Sequence, residues 1–419
     1  MIESSPLRRL GRSYARAFSG LPGEVWILAV ATLVNRAGTM VLPFLTLYLT
    51  GQFGWSPAAA GRMLALYGAG AIGGSFLGGW AADRWSPVAV QQFSLLGTGV
   101  GFLALTRLSS EHAFGIAMVA ISLVAEMYRP ALLAAAGKDV PAEVRGRSMG
   151  LLRLAVNAGM SIGPAVGGLL ATVNYDLLFV ADACTCWAAA AVLFLARRRA
   201  ARRAKPPGLE TAAGTASLAG SPWRDGPFLA FLGLALVLAI VFFQINGTFP
   251  LYLHHEYGLS EAGIGGLLGL NALIVVACEM LILHRVERLS PLAVIGPGAF
   301  LLCLGFALLP LGRGALFAAG TVVVWTVGEM LTLPLANIFV AARAGPGRAG
   351  RYIGAYTMAF STAFLVAPAL GLSVYGRFGG GVLWGAAGAV GGGLWLGFRA
   401  LERVLASPPA GASHAGRAD

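Results

Sequence analysis

Twelve apolar stretches, each long enough to cross a bilayer, account for most of the chain. A helix needs roughly 20 apolar residues to span the hydrocarbon core. In lipid the backbone must bond within its own segment, so such stretches can only be helices. They fall at 25–49, 58–82, 88–107, 112–137, 148–172, 175–197, 226–253, 262–285, 292–312, 314–342, 352–376 and 380–402, here spans 1 to 12. The connections are short except 198–225, an Arg-, Ala-, Gly-, Pro- and Ser-rich linker. The expected fold is an all-α membrane protein.

Composition agrees. Of 419 residues 57% are hydrophobic and 11% charged, against about a quarter charged in soluble domains. One soluble core could not hide that apolar surface; lipid can. The net charge of +12 does not indicate nucleic acid, because the basic residues sit in short runs flanking apolar stretches, as Arg197, Arg198 and Arg199 do. Cys184, Cys186, Cys278 and Cys303 all lie within apolar stretches. No His or second Cys pair accompanies them, so neither a disulfide, a metal nor a cofactor is expected. The basic stretch through Arg16 leads into an apolar run too long for a signal peptide.

Orientation follows from the excess of Lys and Arg in cytoplasmic loops. With the N-terminus inside, 23 basic residues lie on the cytoplasmic side and three, Arg107, Arg313 and Arg377, on the other. Both termini are then cytoplasmic, in a bacterial-type inner membrane.

The chain also repeats itself at an offset of 204 residues. Asp83-Arg84-Trp85-Ser86-Pro87 recurs as Glu287-Arg288-Leu289-Ser290-Pro291, and Leu47-Tyr48-Leu49 as Leu251-Tyr252-Leu253. Pro164 and Gly167 match Pro368 and Gly371. Glu126 corresponds to Glu329 with one inserted residue. Six spans return the chain to its starting side, so the copies are parallel repeats, an arrangement suited to a central site reached alternately from either face. The expected layout is an N-terminal bundle over 1–197, a cytoplasmic linker over 198–225, a C-terminal bundle over 226–402 and a tail over 403–419.

Two motifs carry a resemblance. Gly79-Trp80-Ala81-Ala82-Asp83-Arg84 lies between spans 2 and 3. In span 5, Gly159, Gly163, Pro164, Gly167 and Gly168 form a Gly-x-x-x-Gly-Pro-x-x-Gly-Gly pattern. With twelve spans in two halves, the chain resembles the major facilitator superfamily, and the span-5 pattern its drug/proton antiporter branches. The resemblance implies the major facilitator fold and export by alternating access. It departs in span 4, where those antiporters carry an Arg ahead of a Gln-Gly pair and this chain offers Glu126 and Arg129.

Ionisable side chains at bilayer depth are costly, about 2.5–3.5 kcal/mol each on insertion scales, and persist where they face a cavity or a partner. Arg36 in span 1, Glu126 and Arg129 in span 4 and Glu329 in span 10 lie near mid-membrane. Arg36 is expected to pair with Glu126, and the two carboxylates to exchange protons. Asp182 and Glu279 lie off-centre and rank lower. Asp83 with Arg84, and Glu287 with Arg288, read as latches at helix ends. Asn35, Tyr67, Tyr128, Asn157, Gln244, Asn246, Asn271, Trp325, Asn337 and Phe360 are expected to line an amphipathic cavity for a bulky lipophilic or cationic compound. Gly70, Gly74 and Gly78, like the glycines of span 5, make a smooth stripe that admits a second backbone, and Pro164 should bend span 5.

The reading that results is a monomeric transporter that exports a small molecule, with protons and the lipid bilayer as its other partners. The alternative is a symporter or facilitator for a nutrient such as a sugar or peptide, or a lipid flippase. A membrane-bound enzyme would need a His, Asp or Cys cluster that the five scattered His do not supply. No phosphate-binding loop suggests ATP drive, and the short tails offer nothing to a sensor.

Overall fold

The structure, a computed structural model, describes residues 20–137, 142–201, 222–344 and 349–406. Most of the 198–225 linker and the tail from 407 onward lie outside these residues, as do Arg8, Arg9, Arg12, Arg16, Lys138, Arg348 and Arg417. No strand occurs among the described residues, and each of the twelve expected spans falls on helix. Ten helices are long and apolar enough to cross a membrane. One of them, Arg351–Ala406, covers both span 11 and span 12. Its regular backbone is interrupted at Gly379, whose φ of 79° lies in the left-handed region open to glycine. Span 2, Pro57–Arg84, is a helix of 28 residues but is not among the ten.

Three spans are broken, which the apolar count does not reveal. Span 1 divides into Gly23–Ala37 and Val41–Gln52, span 4 into Glu111–Ala125 and Tyr128–Gly137, and span 7 into Gly226–Phe242 and Thr248–Tyr257 with a 3-10 turn, Phe243–Asn246, between. In each, a proline is the third residue of the second piece: Pro43, Pro130 and Pro250. Proline lacks the N–H that would continue the ladder but fits a helix's first turn, where no such bond is made. Span 10 runs unbroken through Pro334 and span 5 through Pro164, so proline alone does not decide. At the breaks, side chains take up freed backbone groups. Ser94 donates to the Val124 and Ala125 carbonyls at 2.7 and 3.1 Å. Gln244 donates to Ile240 and Ala367 at 3.1 and 2.9 Å.

The helices group into two compact units. One comprises Met1–Trp55, Arg62–Glu210 and Leu259–Val276; the other comprises Ser56–Gly61, Thr211–Gly258 and Ala277–Asp419. Each half of the sequence thus cedes one helix start to the other's unit, at places related by the repeat offset. In the first unit, Gly265 of span 8 lies against the Pro164 carbonyl of span 5, and Gly168 against Glu261 and Gly265. In the second, Gly61 of span 2 lies against Pro368 and Ala369 of span 11. Glycine is required because a Cβ at these crossings would collide with backbone.

The glycine stripes have specific neighbours. Gly70, Gly74 and Gly78 of span 2 face Val119, Leu123 and Met127 of span 4. Gly159, Gly163 and Gly167 of span 5 face Arg36, Thr39 and Met40, the broken part of span 1. The core of the second unit centres on an aromatic stack: Phe306 lies 5.5 Å from both Trp325 and Trp384, nearly parallel to each.

Candidate functional site

The breaks in spans 1 and 4 meet around a cavity of about 80 Å³ in the first unit, lined by Arg36, Glu126, Asp182, Asn35, Tyr67 and Tyr128 among others. Arg36 ends the first half of span 1. Glu126 is the residue at which the first half of span 4 stops. Span 6 contributes Asp182 and Cys186, and span 3 contributes Ser94 and Thr98. A water needs roughly 10–15 Å³ of such space and polar partners, so the cavity suits several waters. A drug-sized ligand takes about 300–1,000 Å³.

The polar groups are linked. Tyr128 and Thr32 hydroxyls are 3.0 Å apart. Asn35 Nδ2 donates to Cys186 Sγ at 3.6 Å, and Cys186 Sγ to Asp182 Oδ1 at 4.0 Å. Val41 N donates to Asp182 Oδ2 at 3.5 Å. The expected Arg36–Glu126 ion pair is not made: no such pair occurs among the described residues, and Arg36 Nε is buried without a hydrogen-bond partner. The two residues sit on different helix breaks and line the same cavity without an ion pair.

The remaining expected site residues separate. Arg129 is exposed on the second half of span 4. Glu329 is half-buried in the second unit and is not among the residues that line this cavity. Of the ten lining residues expected, Asn35, Tyr67 and Tyr128 line it. Trp325 is fully buried in the aromatic stack. Gln244 is buried, its amide holding two carbonyls and its Oε1 accepting from Thr248 at 2.7 Å. Asn337 is exposed and donates to Leu333 of its own helix. Asn157 and Asn246 are half-buried, Asn271 is buried, and Phe360 packs on Phe243 and Tyr356. The bulky-substrate cavity drawn from these ten residues is therefore not formed within the first unit.

The latches differ from expectation too. Asp83 and Arg84 are exposed, with no ion pair among the described residues. Glu287, in the turn just after helix Glu261–Val286, reaches His284 of that helix's last turn at 3.2 Å, and Arg288 is exposed. Gly79 meets Pro130 at ordinary contact distance. A built ion pair stands elsewhere. Asp225 caps span 7, accepting from Phe228 N, and takes two hydrogen bonds of 2.8 Å from Arg343 at the end of span 10 and one of 3.1 Å from Tyr352 of span 11. The Arg343 bonds, with the backbone and Tyr352 donors, hold the Asp225 carboxyl below its ordinary range. An Asp directly before Gly-Pro and an apolar run is a helix-start signal; its partners, over 100 residues away, leave no local trace.

Apolar helices of spanning length, broken around a polar cavity, define a multi-pass membrane transporter. The chain belongs to the Major Facilitator Superfamily, whose profile matches residues 27–368. It is 26% identical to the MFS-type transporter YqjV of Bacillus subtilis (strain 168), over 79% of this chain and 81% of that one. It is 26% identical to the multidrug resistance protein MdtH of Aeromonas hydrophila, over 84% of each. It is 23% identical to a Na(+), Li(+), K(+)/H(+) antiporter of Planococcus maritimus, over 80% and 85%. Among solved structures, a POT family transporter in complex with 5-aminolevulinic acid superposes with a TM-score of 0.77 at 14% identity, covering 93% of this chain and 98% of that one. At that identity the likeness speaks for the fold alone.

Proposed function

We propose that this protein is a secondary active transporter that exports small lipophilic or cationic compounds in exchange for protons by alternating access. The observation that carries the reading is the first unit's cavity. Arg36 and Glu126, at helix breaks, and Asp182, within the continuous helix of span 6, surround it inside apolar spans. Ionisable groups are rare at that depth and mark ion or proton pathways. The MdtH and cation/proton antiporter relatives support export and exchange. The chain is a monomer in a bacterial-type inner membrane, with both termini cytoplasmic. Residues 1–197 and 226–402 form the two moving halves, joined by the 198–225 linker, with 403–419 as a cytoplasmic tail. Glu329 serves the second half as Glu126 serves the first, and Asp83–Arg84 and Glu287–Arg288 engage in another facing state.

Proteoliposomes with an imposed pH gradient test this, against a panel of dyes, antibiotics, sugars, peptides and Na+, Li+ and K+. An acidic exterior, standing for the periplasm, should drive lipophilic cations out, and dissipating the gradient should stop them. Flux of a sugar or peptide in the direction of the protons, with none for the cations, would replace export by symport.

A further inference from the structure

We propose that Asp182 on span 6 is a proton-binding site and that its charged form clamps the break in span 1. The inference deepens the proton-exchange reading and rests on it for the transport consequence, though not for the site itself.

Asp182 is 5% exposed, about two turns into the apolar helix Asp176–Ala201. It bridges both pieces of span 1. Its Oδ2 accepts from Val41 N, the first residue of the second piece, at 3.5 Å. Its Oδ1 is linked through Cys186 Sγ to Asn35 on the first piece. Beside it, Gly38 at the break lies against Thr185 with no room for a side chain. The carboxylate thus does for Val41–Gln52 what a capping residue does for a helix start, from a neighbouring helix.

The offset to its burial is modest. No cation lies within ion-pair distance of Asp182 among the described residues. The charged groups around it are Arg36 of span 1 and Glu126 of span 4; the titratable ones are Tyr67 of span 2, Tyr128 of span 4 and Cys186 of its own helix. Span 3 brings no titratable side chain, and Arg147 and Arg153 of span 5 are exposed. A buried carboxylate held by a single long amide bond is the kind of group that neutralises by taking a proton. The cavity gives the proton its path: a hydronium there transfers H+ to Asp182, the charge falls from −1 to zero, and water remains. Neutral Asp182 is a poorer acceptor, so the Val41 amide loses its cap and the second piece of span 1 is freed. Glu126 faces the same cavity but sits at the closing end of its helix, where its charge holds no neighbouring amide.

Infrared difference spectra of the reconstituted protein between alkaline and acidic pH, with aspartate carbon-13-labelled, read the site directly. A protonated-aspartic-acid band should appear on acidification, vanish in Asp182→Asn, persist in Glu126→Gln and shift to the glutamic-acid position, outside the isotope label, in Asp182→Glu. In parallel, Asp182→Asn should lose pH-gradient-driven flux while keeping substrate counterflow. Amide hydrogen exchange over 40–44, corrected for pH, should quicken about fivefold in that variant, as for a lost cap. An unchanged band in Asp182→Asn, or full pH-driven flux in it, overturns the proposal. If Asp182→Asn does not fold, an Asp182→Glu protein whose labelled band stays in place overturns it equally. A band that depends on Asp182 in a wild type showing no pH-driven flux would uphold the site and defeat the antiport reading.

Discussion

Asp225 shows what a single charge does when its partners are built around it. Two side chains and a helix start converge on one half-buried carboxylate. Hydrogen bonds to a charged group are worth about 1.5–3 kcal/mol and a cap about 1 kcal/mol, so Asp225→Ala should cost about 2–3 kcal/mol, read as a lower melting temperature in detergent. Because the folded carboxyl titrates below its unfolded value, this stability is fully present above about pH 4 and is lost as pH falls through the depressed folded value. The gap between wild type and Asp225→Asn should therefore close only in strong acid; a gap closing near neutrality would place its origin elsewhere. Arg36 is the opposite case, a buried guanidinium nitrogen with no acceptor. Replacing an uncompensated buried polar group by an apolar one of similar size recovers about 1–3 kcal/mol. Arg36→Met should melt higher than wild type and drive less pH-dependent flux, and a lower melting temperature would show that Arg36 is compensated. Sequence depth alone brought Arg36 and Glu126 to notice, and both face the cavity. It ranked Asp182 lower because depth along a straight helix says nothing of a neighbouring helix broken beside it.

At the scale of elements, the glycine stripes were legible as stripes, but their partners were not. The four-residue spacing fixes one face of span 5; only the fold shows that this face receives the broken part of span 1. At Gly163 a Cβ would stand 3.0 Å from the Thr39 carbonyl and 3.2 Å from that of Arg36. Gly163→Leu should then cost about 1–3 kcal/mol as overpacking, with pH-driven flux lost alongside. Gly150, earlier on the same helix, has nothing within 4 Å, and Gly150→Ala should be neutral or stabilise by up to about 1 kcal/mol. Equal melting of the two variants would mean that span 5 is not pressed on span 1. The breaks themselves had a sequence signal, Pro43, Pro130 and Pro250, yet Pro164 and Pro334 sit in continuous helix. At the span 4 break a neighbouring span supplies a bond for the freed carbonyls through Ser94, whereas at the span 7 break Gln244 does so from the break itself, and the first of these is tertiary information. The repeat is imperfect for the same reason: the break in span 1 recurs in span 7, while span 10, the counterpart of span 4, runs straight.

At the scale of the whole molecule, the helical segments and the family follow from apolar length, internal repeat and motif, because the bilayer leaves a chain so few alternatives. Orientation rests on a different term, the placement of Lys and Arg, and has its own test. In a protein whose four native cysteines are replaced, Arg84→Cys and Arg288→Cys, both exposed, should react with a membrane-impermeant maleimide only from the cytoplasmic side. Arg107→Cys, also exposed and just past the helix end at Leu105 in span 3, should react only from outside. The first two report on loops that the 204-residue repeat makes equivalent, so they must agree if six spans separate the copies. Labelling of positions 84 and 288 from opposite faces would mean an odd number of crossings between them. The parallel repeat would then become an inverted one, and the two halves could no longer share an axis along the membrane normal.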